Sequence, residues 1–507
     1  MIRTAAVLIL LLLVAIPVLG KPLPVADIGF TEQLINTGGN LDYLSYLDIT
    51  GDGRKDLVLL RRDRIQIYYQ KPDRSFPAKP DETLFPGKRM ILLDFQDMNA
   101  NGKVDIVICS PRAVYFLEYD GVRISKKPQL LARTKVDLRP PTEGSFPWVD
   151  FVRDFNNDGK PDFWLPVDDG IVFFYGAGGG DDFNVFEQSA VFELEHDTDW
   201  ALQYTNSRFQ TTINYNFLFG KLLFMDFTGN GKIDMVYLLA DKIFVYPLDG
   251  QGRFGKKNRT GYDLPTEQGR TDIIRFVPLG VADLNGDGLI DIIKTFGDDG
   301  MVKIYLGRDK KFSFNRAVQA IREKGWIYST QLIDLDGDGR LDLFTLQTGV
   351  VNWRKALRIF MSGKTTIYAQ VYLNRSKRGK TIFSEHHDYI EAFTNPLVFE
   401  IDISGVKNTD TRIFINAWYD FNNDGKKDIF ALSDDRQVSI YFAADRKGFY
   451  GNKPDFNLTI HDASPYNKVR EYIGDLDGDG RQDFMLHFQN DPGEMDVVGI
   501  YFSVKTQ

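Results

Sequence analysis

The sequence predicts an all-β chain: a single β-propeller of four-stranded blades, eight by count with seven left open, closed by pairing of the N- and C-terminal segments in one blade. Three observations predict it. A nine-residue pattern with Asp at positions 1 and 9 and Gly at position 6 occurs eight times, at steps of 49 to 86 residues, and such a period marks a repeat architecture. Short runs rich in Phe, Tyr, Val and Ile flank each copy, and at that length and composition they are strands. After the last copy only Asp483–His487 and Val497–Phe502 remain, while an orphan run, Asp27–Leu34, precedes the first. The orphan supplies the strand that the last blade lacks. Radial closure of this kind hides sheet edges.

Taken in order, Met1–Gly20 has one early cation, Arg3, an apolar run from Ala5 to Leu19 and small residues near a cut after Gly20. It reads as a secretory signal peptide, with an uncleaved anchor as the rival. Residues 21–507 are then the propeller. No later run is long and apolar enough to span a bilayer as a helix, so no integral span is expected after cleavage. The expected location is extracytoplasmic: periplasm, cell surface or medium. A lone cysteine, Cys109, excludes an internal disulfide. It lies in the run Asp-Ile-Val-Ile-Cys, so a buried small hydrophobe is the expected role.

The repeated loop has the chemistry of a calcium site. Oxygen ligands at positions 1, 3, 5 and 9, with a backbone carbonyl at position 7, can converge on one hard cation, and Gly at position 6 permits the turn. The first set is Asp48, Thr50, Asp52, Arg54 and Asp56; the second Asp97, Asn99, Asn101, Lys103 and Asp105; the third Asp154, Asn156, Asp158, Lys160 and Asp162. The fourth is Asp226, Thr228, Asn230, Lys232 and Asp234; the fifth Asp283, Asn285, Asp287, Leu289 and Asp291; the sixth Asp334, Asp336, Asp338, Arg340 and Asp342. Asp420, Asn422, Asp424, Lys426 and Asp428 form the seventh, and Asp475, Asp477, Asp479, Arg481 and Asp483 the eighth. Up to eight Ca2+ ions are expected. Affinity rises with carboxylate count, so loops 97–105 and 226–234, with two carboxylates each, are expected to be weakest; metal-free Asx turns are the rival there.

An EF-hand needs Glu at position 12 and flanking helices, whereas Thr345 and Leu486 hold that position in the sixth and eighth loops. The units instead resemble the FG-GAP or VCBS repeats of the integrin alpha N-terminal type, over almost all of residues 21–507. That resemblance implies a calcium-stabilised propeller, usually extracytoplasmic, that presents loops for recognition. Eight units depart from the usual seven.

The net charge of -9 is misleading about partners, because the eight loops contain 24 aspartates and the rest of the chain is net positive. An anionic glycan or envelope partner is therefore compatible with the acidic balance. Basic clusters interleaved with aromatics are missing, so no nucleic-acid partner is expected; Gly255–Thr260 reads as an outer turn.

Two long steps carry insertions, at about 188–220 and 348–412. In the first, Glu195, His196, Asp197, Asp199, Trp200 and Tyr204 suggest a sugar or metal site or, more simply, a surface insertion. In the second, Trp353, Ala356, Leu357, Phe360 and Met361 recur at helical spacing, with Asn352 as cap and Gly363 as stop. This helix is expected to pack on the propeller and to leave Arg354, Lys355 and Arg358 in water, with an acidic partner for those cations as the rival. Ile367–Leu373 is expected to be the displaced strand of that blade, and Phe399–Ile413 an inserted hairpin.

No nucleophile elbow, zinc motif or phosphate loop is present, and the five histidines, His196, His386, His387, His461 and His487, lie in none. The expected function is a non-catalytic binding, adhesion or scaffold module, with an unknown protein or glycan ligand at the envelope or outside the cell. The alternative is a calcium-dependent polysaccharide lyase or other carbohydrate-active propeller, which would build its site from loops distant in sequence.

Overall fold

The computed structural model describes residues 28–505, apart from single residues and short connecting stretches, the longest of them 137–149, 178–184, 205–210, 264–278 and 308–315. Met1–Gly20 lies outside the described residues, as do Glu195 and His196. Eight antiparallel sheets of four strands, here a to d in chain order, make up a propeller. In the first blade these are Tyr43–Leu47, Asp56–Arg61, Arg64–Tyr68 and Glu82–Leu84.

Strand b shows why the blades stack. Asp56–Arg61 is buried at every residue, because a blade is covered on both faces by its neighbours. Side chains alternate between faces, and the alternation sorts them. Leu57 and Leu59 join the apolar cluster shared with the eighth blade, while Val58 and Leu60 join the one shared with the second. Eight such clusters exist, one for each pair of adjacent blades, including the pair that joins the eighth to the first. The count is therefore eight, not seven.

Closure follows the expected route. Ile28–Asn36 pairs antiparallel with Val497–Lys505 and becomes strand d of the blade formed by Lys468–Gly474, Asp483–Gln489 and Val497–Lys505. Phe30 packs against Phe484 at 5.1 Å and Phe421 at 6.5 Å, so the orphan strand is held by two blades.

The closing strand of the fifth blade is Gln319–Arg322, and the third blade carries an extra short strand, Phe192–Glu193, on its strand c. The helix Trp353–Ser362 forms as expected, between strands b and c of the sixth blade, but its expected packing on the propeller is corrected: it buries none of its residues. Strand c, Lys364–Tyr372, contains the expected stretch from Ile367 up to Tyr372 and ends one residue before Leu373, and Phe399–Asp402 pairs with Gly405–Asn408 as an inserted hairpin. The 188–220 insertion forms a second hairpin, Asp197–Tyr204 with Thr211–Leu218. Cys109 is buried, and burial pushes its thiol up to about 12, as befits a core residue. Among the described residues no helix is long and apolar enough to cross a membrane.

Candidate metal centres

All eight loops connect strand a to strand b, and in an antiparallel blade that places them at the same end as the c–d connections. Each is pre-shaped by its own carboxylates. In the sixth, Asp334 Oδ1 accepts from the amides of Gly337 (2.9 Å) and Asp338 (3.1 Å), and its Oδ2 from Gly339 (2.9 Å). Asp338 Oδ1 accepts from the amide of Arg340 at 2.9 Å. The position-1 carboxylates of all eight loops, Asp48, Asp97, Asp154, Asp226, Asp283, Asp334, Asp420 and Asp475, accept from the amides of positions 5 and 6. The second and fourth loops share this turn, so carboxylate count and not backbone shape distinguishes them.

Position 9 is a buried pin. Asp342 Oδ2 accepts from the Leu335 amide at 2.9 Å and its Oδ1 from the Asn374 amide, at the end of strand c, at 2.7 Å. The pair of bonds recurs at Asp56, Asp105, Asp162, Asp291, Asp428 and Asp483. Asp234 of the fourth loop accepts from the Thr228 amide at 2.8 Å, and its Oδ1 is buried with no hydrogen-bond partner among the described residues.

Burial, opposed by these amide bonds and aided by neighbouring loop aspartates, raises Asp56, Asp105 and Asp291 to about 6. The same causes raise Asp162, Asp342 and Asp483 to about 7 and Asp428 well above its ordinary value. A buried anion beside other anions is an environment that a cation relieves.

The sixth and eighth loops bring acidic groups closest. One oxygen each from Asp334, Asp336 and Asp338 lie within 4.8 Å of one another, and so do those of Asp475, Asp477 and Asp483. An all-oxygen set of this kind fits calcium. At position 7 the side chains of Arg54, Arg340 and Arg481 ion-pair with Asp52, Asp338 and Asp479 of their own loops. At position 3, Asn156, Asn285 and Asn422 accept from the position-5 amides of Asp158, Asp287 and Asp424.

Three features were not expected from sequence. Position 4 has a left-handed backbone in every loop, including the non-glycine residues Ala100 (φ 58), Asn157 (φ 61) and Asn423 (φ 57). In five loops this residue meets the next loop: Asn423 Nδ2 donates to the Gly480 carbonyl at 3.3 Å, and Gly51, Gly229, Gly337 and Gly478 lie against the carbonyls of Gly102, Gly288, Gly425 and Gly53. Neighbouring loops thus touch around one end of the propeller. The second feature is Arg74, from the c–d connection of the first blade, which pairs with Asp477 at 3.0 Å and Asp479 at 3.2 Å in the eighth loop. The third is Glu118, which accepts from Asn99 Nδ2 at 2.8 Å and adds a carboxylate beside the poorly charged second loop.

A separate concavity of about 480 Å3 lies in the c–d connection of the sixth blade, lined in part by Arg375, His386, His387 and Asp388. His387 Nδ1 is 3.5 Å from Glu323 Oε1, which accepts the Tyr372 hydroxyl at 2.6 Å.

The profile of the FG-GAP-like repeat matches residues 48–108, 226–293, 283–345 and 420–486. No curated protein matches the chain. Among solved structures, an Agrocybe aegerita lectin described as recognising non-reducing terminal N-acetylglucosamine is 18% identical over 85% of this chain and 90% of its own, with a TM-score of 0.40. The exotype rhamnogalacturonan lyase YesX is 12% identical over 95% of this chain and 75% of its own, with a TM-score of 0.39. The WD40 domain of SCAP from fission yeast is 9% identical over 93% and 94%, with a TM-score of 0.40. With eight blades, eight loops of one design and the repeat profile on loops from both ends of the chain, this protein belongs to the FG-GAP repeat β-propellers.

Proposed function

We propose that the protein is an exported calcium-binding propeller that serves as a non-catalytic binding or adhesion module, with calcium clamping each blade. The observation that carries the metal reading is the convergence of Asp475, Asp477 and Asp483, and of Asp334, Asp336 and Asp338, within loops whose backbone is already shaped. Calcium would be held by the oxygens of positions 1, 3, 5 and 9. It would supply the countercharge to the buried position-9 aspartates and tie the a–b loop to strand c. Disulfides have no part in this stabilisation, since the chain has one cysteine. Met1–Gly20 would direct export, and a protein or glycan of the envelope or exterior would be the ligand.

Thermal melting in calcium and in chelator tests the clamp, because a ligand that binds only the folded state stabilises it in proportion to the logarithm of its concentration over Kd. An unchanged midpoint after thorough chelation would sink it. A glycan array and binding to isolated envelope proteins test the module. A calcium-dependent polysaccharide lyase is the second reading, favoured by the Arg375, His386 and His387 side chains around one concavity at the loop end. Release of unsaturated uronides from a pectin panel would establish it and displace the first.

A further inference from the structure

The helix Trp353–Ser362 is built as the sequence dictates and faces the opposite way from its expected packing. The Asn352 side chain accepts from the Lys355 amide at 2.9 Å, and Gly363, at φ 62, ends the helix by donating to the Ile359 carbonyl at 2.8 Å. The side that meets the blade carries the half-buried Lys355 and Ile359, with Lys355 Nζ donating to the Gly349 carbonyl at 3.2 Å. The apolar side points outward: Trp353 is 72% exposed, Leu357 52%, Phe360 64% and Met361 78%. Val350 and Trp326 are exposed as well, Trp326 pairing with Thr348 at the end of strand b from which the helix departs.

Charge selects what covers this face. The helix has three cations, Arg354, Lys355 and Arg358, and no acid; Lys364 follows it, and the Arg354 guanidinium lies 5.3 Å from the Trp353 ring. A second copy docked helix to helix would bring these cations together with no acid on either helix to pair them. Trp, Leu and Phe on one side, with long basic side chains on the flank, match a helix lying in the plane of a bilayer surface.

We infer that this helix docks the propeller on an anionic phospholipid surface, with Trp353, Leu357, Phe360 and Met361 at the acyl boundary and Arg354 and Arg358 among the headgroups. The helix connects strands b and c, so it sits at the end of the blade opposite the a–b loops. Docking therefore leaves all eight loops facing away from the bilayer.

The test is co-sedimentation of the exported, processed chain with vesicles of phosphatidylcholine alone and of phosphatidylcholine mixed with phosphatidylglycerol. Binding to the mixed vesicles is expected, with a blue shift of Trp353 emission that disappears in Trp353→Tyr. Affinity should fall about tenfold or more in about 1 M salt, where screening acts within about 3 Å. The Leu357→Asp/Phe360→Asp and Arg354→Glu/Arg358→Glu variants should each lose about tenfold. Because these side chains are exposed, the melting midpoints of the variants should stay unchanged. The inference is overturned by absence of binding to the mixed vesicles, by equal binding to both vesicle types, or by binding that the helix variants leave intact. It is overturned equally if Leu357→Asp/Phe360→Asp turns a dimer into a monomer while wild type ignores vesicles.

Discussion

A Cβ on Gly478 would stand 2.6 Å from the Gly53 carbonyl oxygen, so the eighth loop seats directly on the first where the ring closes. Both glycines have left-handed backbones, φ 75 and 88. Gly478→Ala should cost about 2–4 kcal/mol, because the strained backbone is joined by a clash with an atom that is not the end of a flexible side chain. Gly480→Ala, at φ 83 with nothing within 4 Å of its Cβ, should cost only about 1 kcal/mol. Urea unfolding of the two variants separates strain from contact.

Arg74 occupies the ground of a cation at the eighth loop, 3.0 Å from Asp477, whose side chain is 1% exposed. Arg74→Met should destabilise the chelated protein by about 1 kcal/mol, a modest figure because the guanidinium is partly in water. In saturating calcium the loss should vanish, since removing the arginine also removes a competing charge. Melting in both conditions checks this; an equal loss in both would show that Arg74 acts through packing alone.

The position-9 aspartates make calcium dependence a function of pH. Burial raises Asp162, Asp342 and Asp483 to about 7 in the metal-free fold, above the ordinary value of 3.8. The metal-free fold therefore holds their protons more tightly than the unfolded chain does. The stability this gives is full below about pH 4 and is lost as pH rises through about 7. The difference in melting midpoint between calcium and chelator should be larger at pH 7.5 than at pH 5. A difference that does not change with pH would count against the pins as the seat of the effect.

A second titration has the opposite sign. His487, 1% exposed in strand b of the eighth blade, has Nε2 3.7 Å from Asp496 Oδ2. Burial holds it below its ordinary 6.5 despite the Asp496 carboxylate. Burial also opposes ionisation of Asp496, but His487 and the Leu41 amide outweigh it and leave that carboxyl below its ordinary value. Both groups bind protons less readily when folded: the His487 contribution is present above pH 6.5 and is lost as pH falls below it, whereas that of Asp496 is present above pH 3.8 and is lost only below it, each by at most about 1.4 kcal/mol per pH unit. In saturating calcium, His487→Phe should flatten the fall in melting midpoint between pH 7 and 5.

The loops and the blade count were legible because Asp and Gly recur at fixed positions and strand b alternates its faces residue by residue, as Leu57 to Leu60 do. The left-handed position 4 was not legible at Ala100, since alanine carries no signal for that backbone. Arg74, Glu118 and the contact of Gly478 with Gly53 join segments far apart in the chain, and local spacing is blind to them. The helix Trp353–Ser362 was legible as a helix through Asn352 and Gly363, but its orientation was not. Periodicity defines an apolar face without saying what lies in front of it.

The N-terminal strand has a consequence for how the chain is made. Ile28–Asn36 is synthesised first, and its partner, Val497–Lys505, last. Throughout synthesis the leading strand therefore has no sheet to join. An unpaired strand of this length is a template for wrong pairing with other chains, and the contact that removes the hazard spans nearly the whole sequence, the kind of contact that forms slowly. Final closure is the vulnerable moment in this protein's biogenesis, because until Val497–Lys505 pairs, Ile28–Asn36 stays a bare edge.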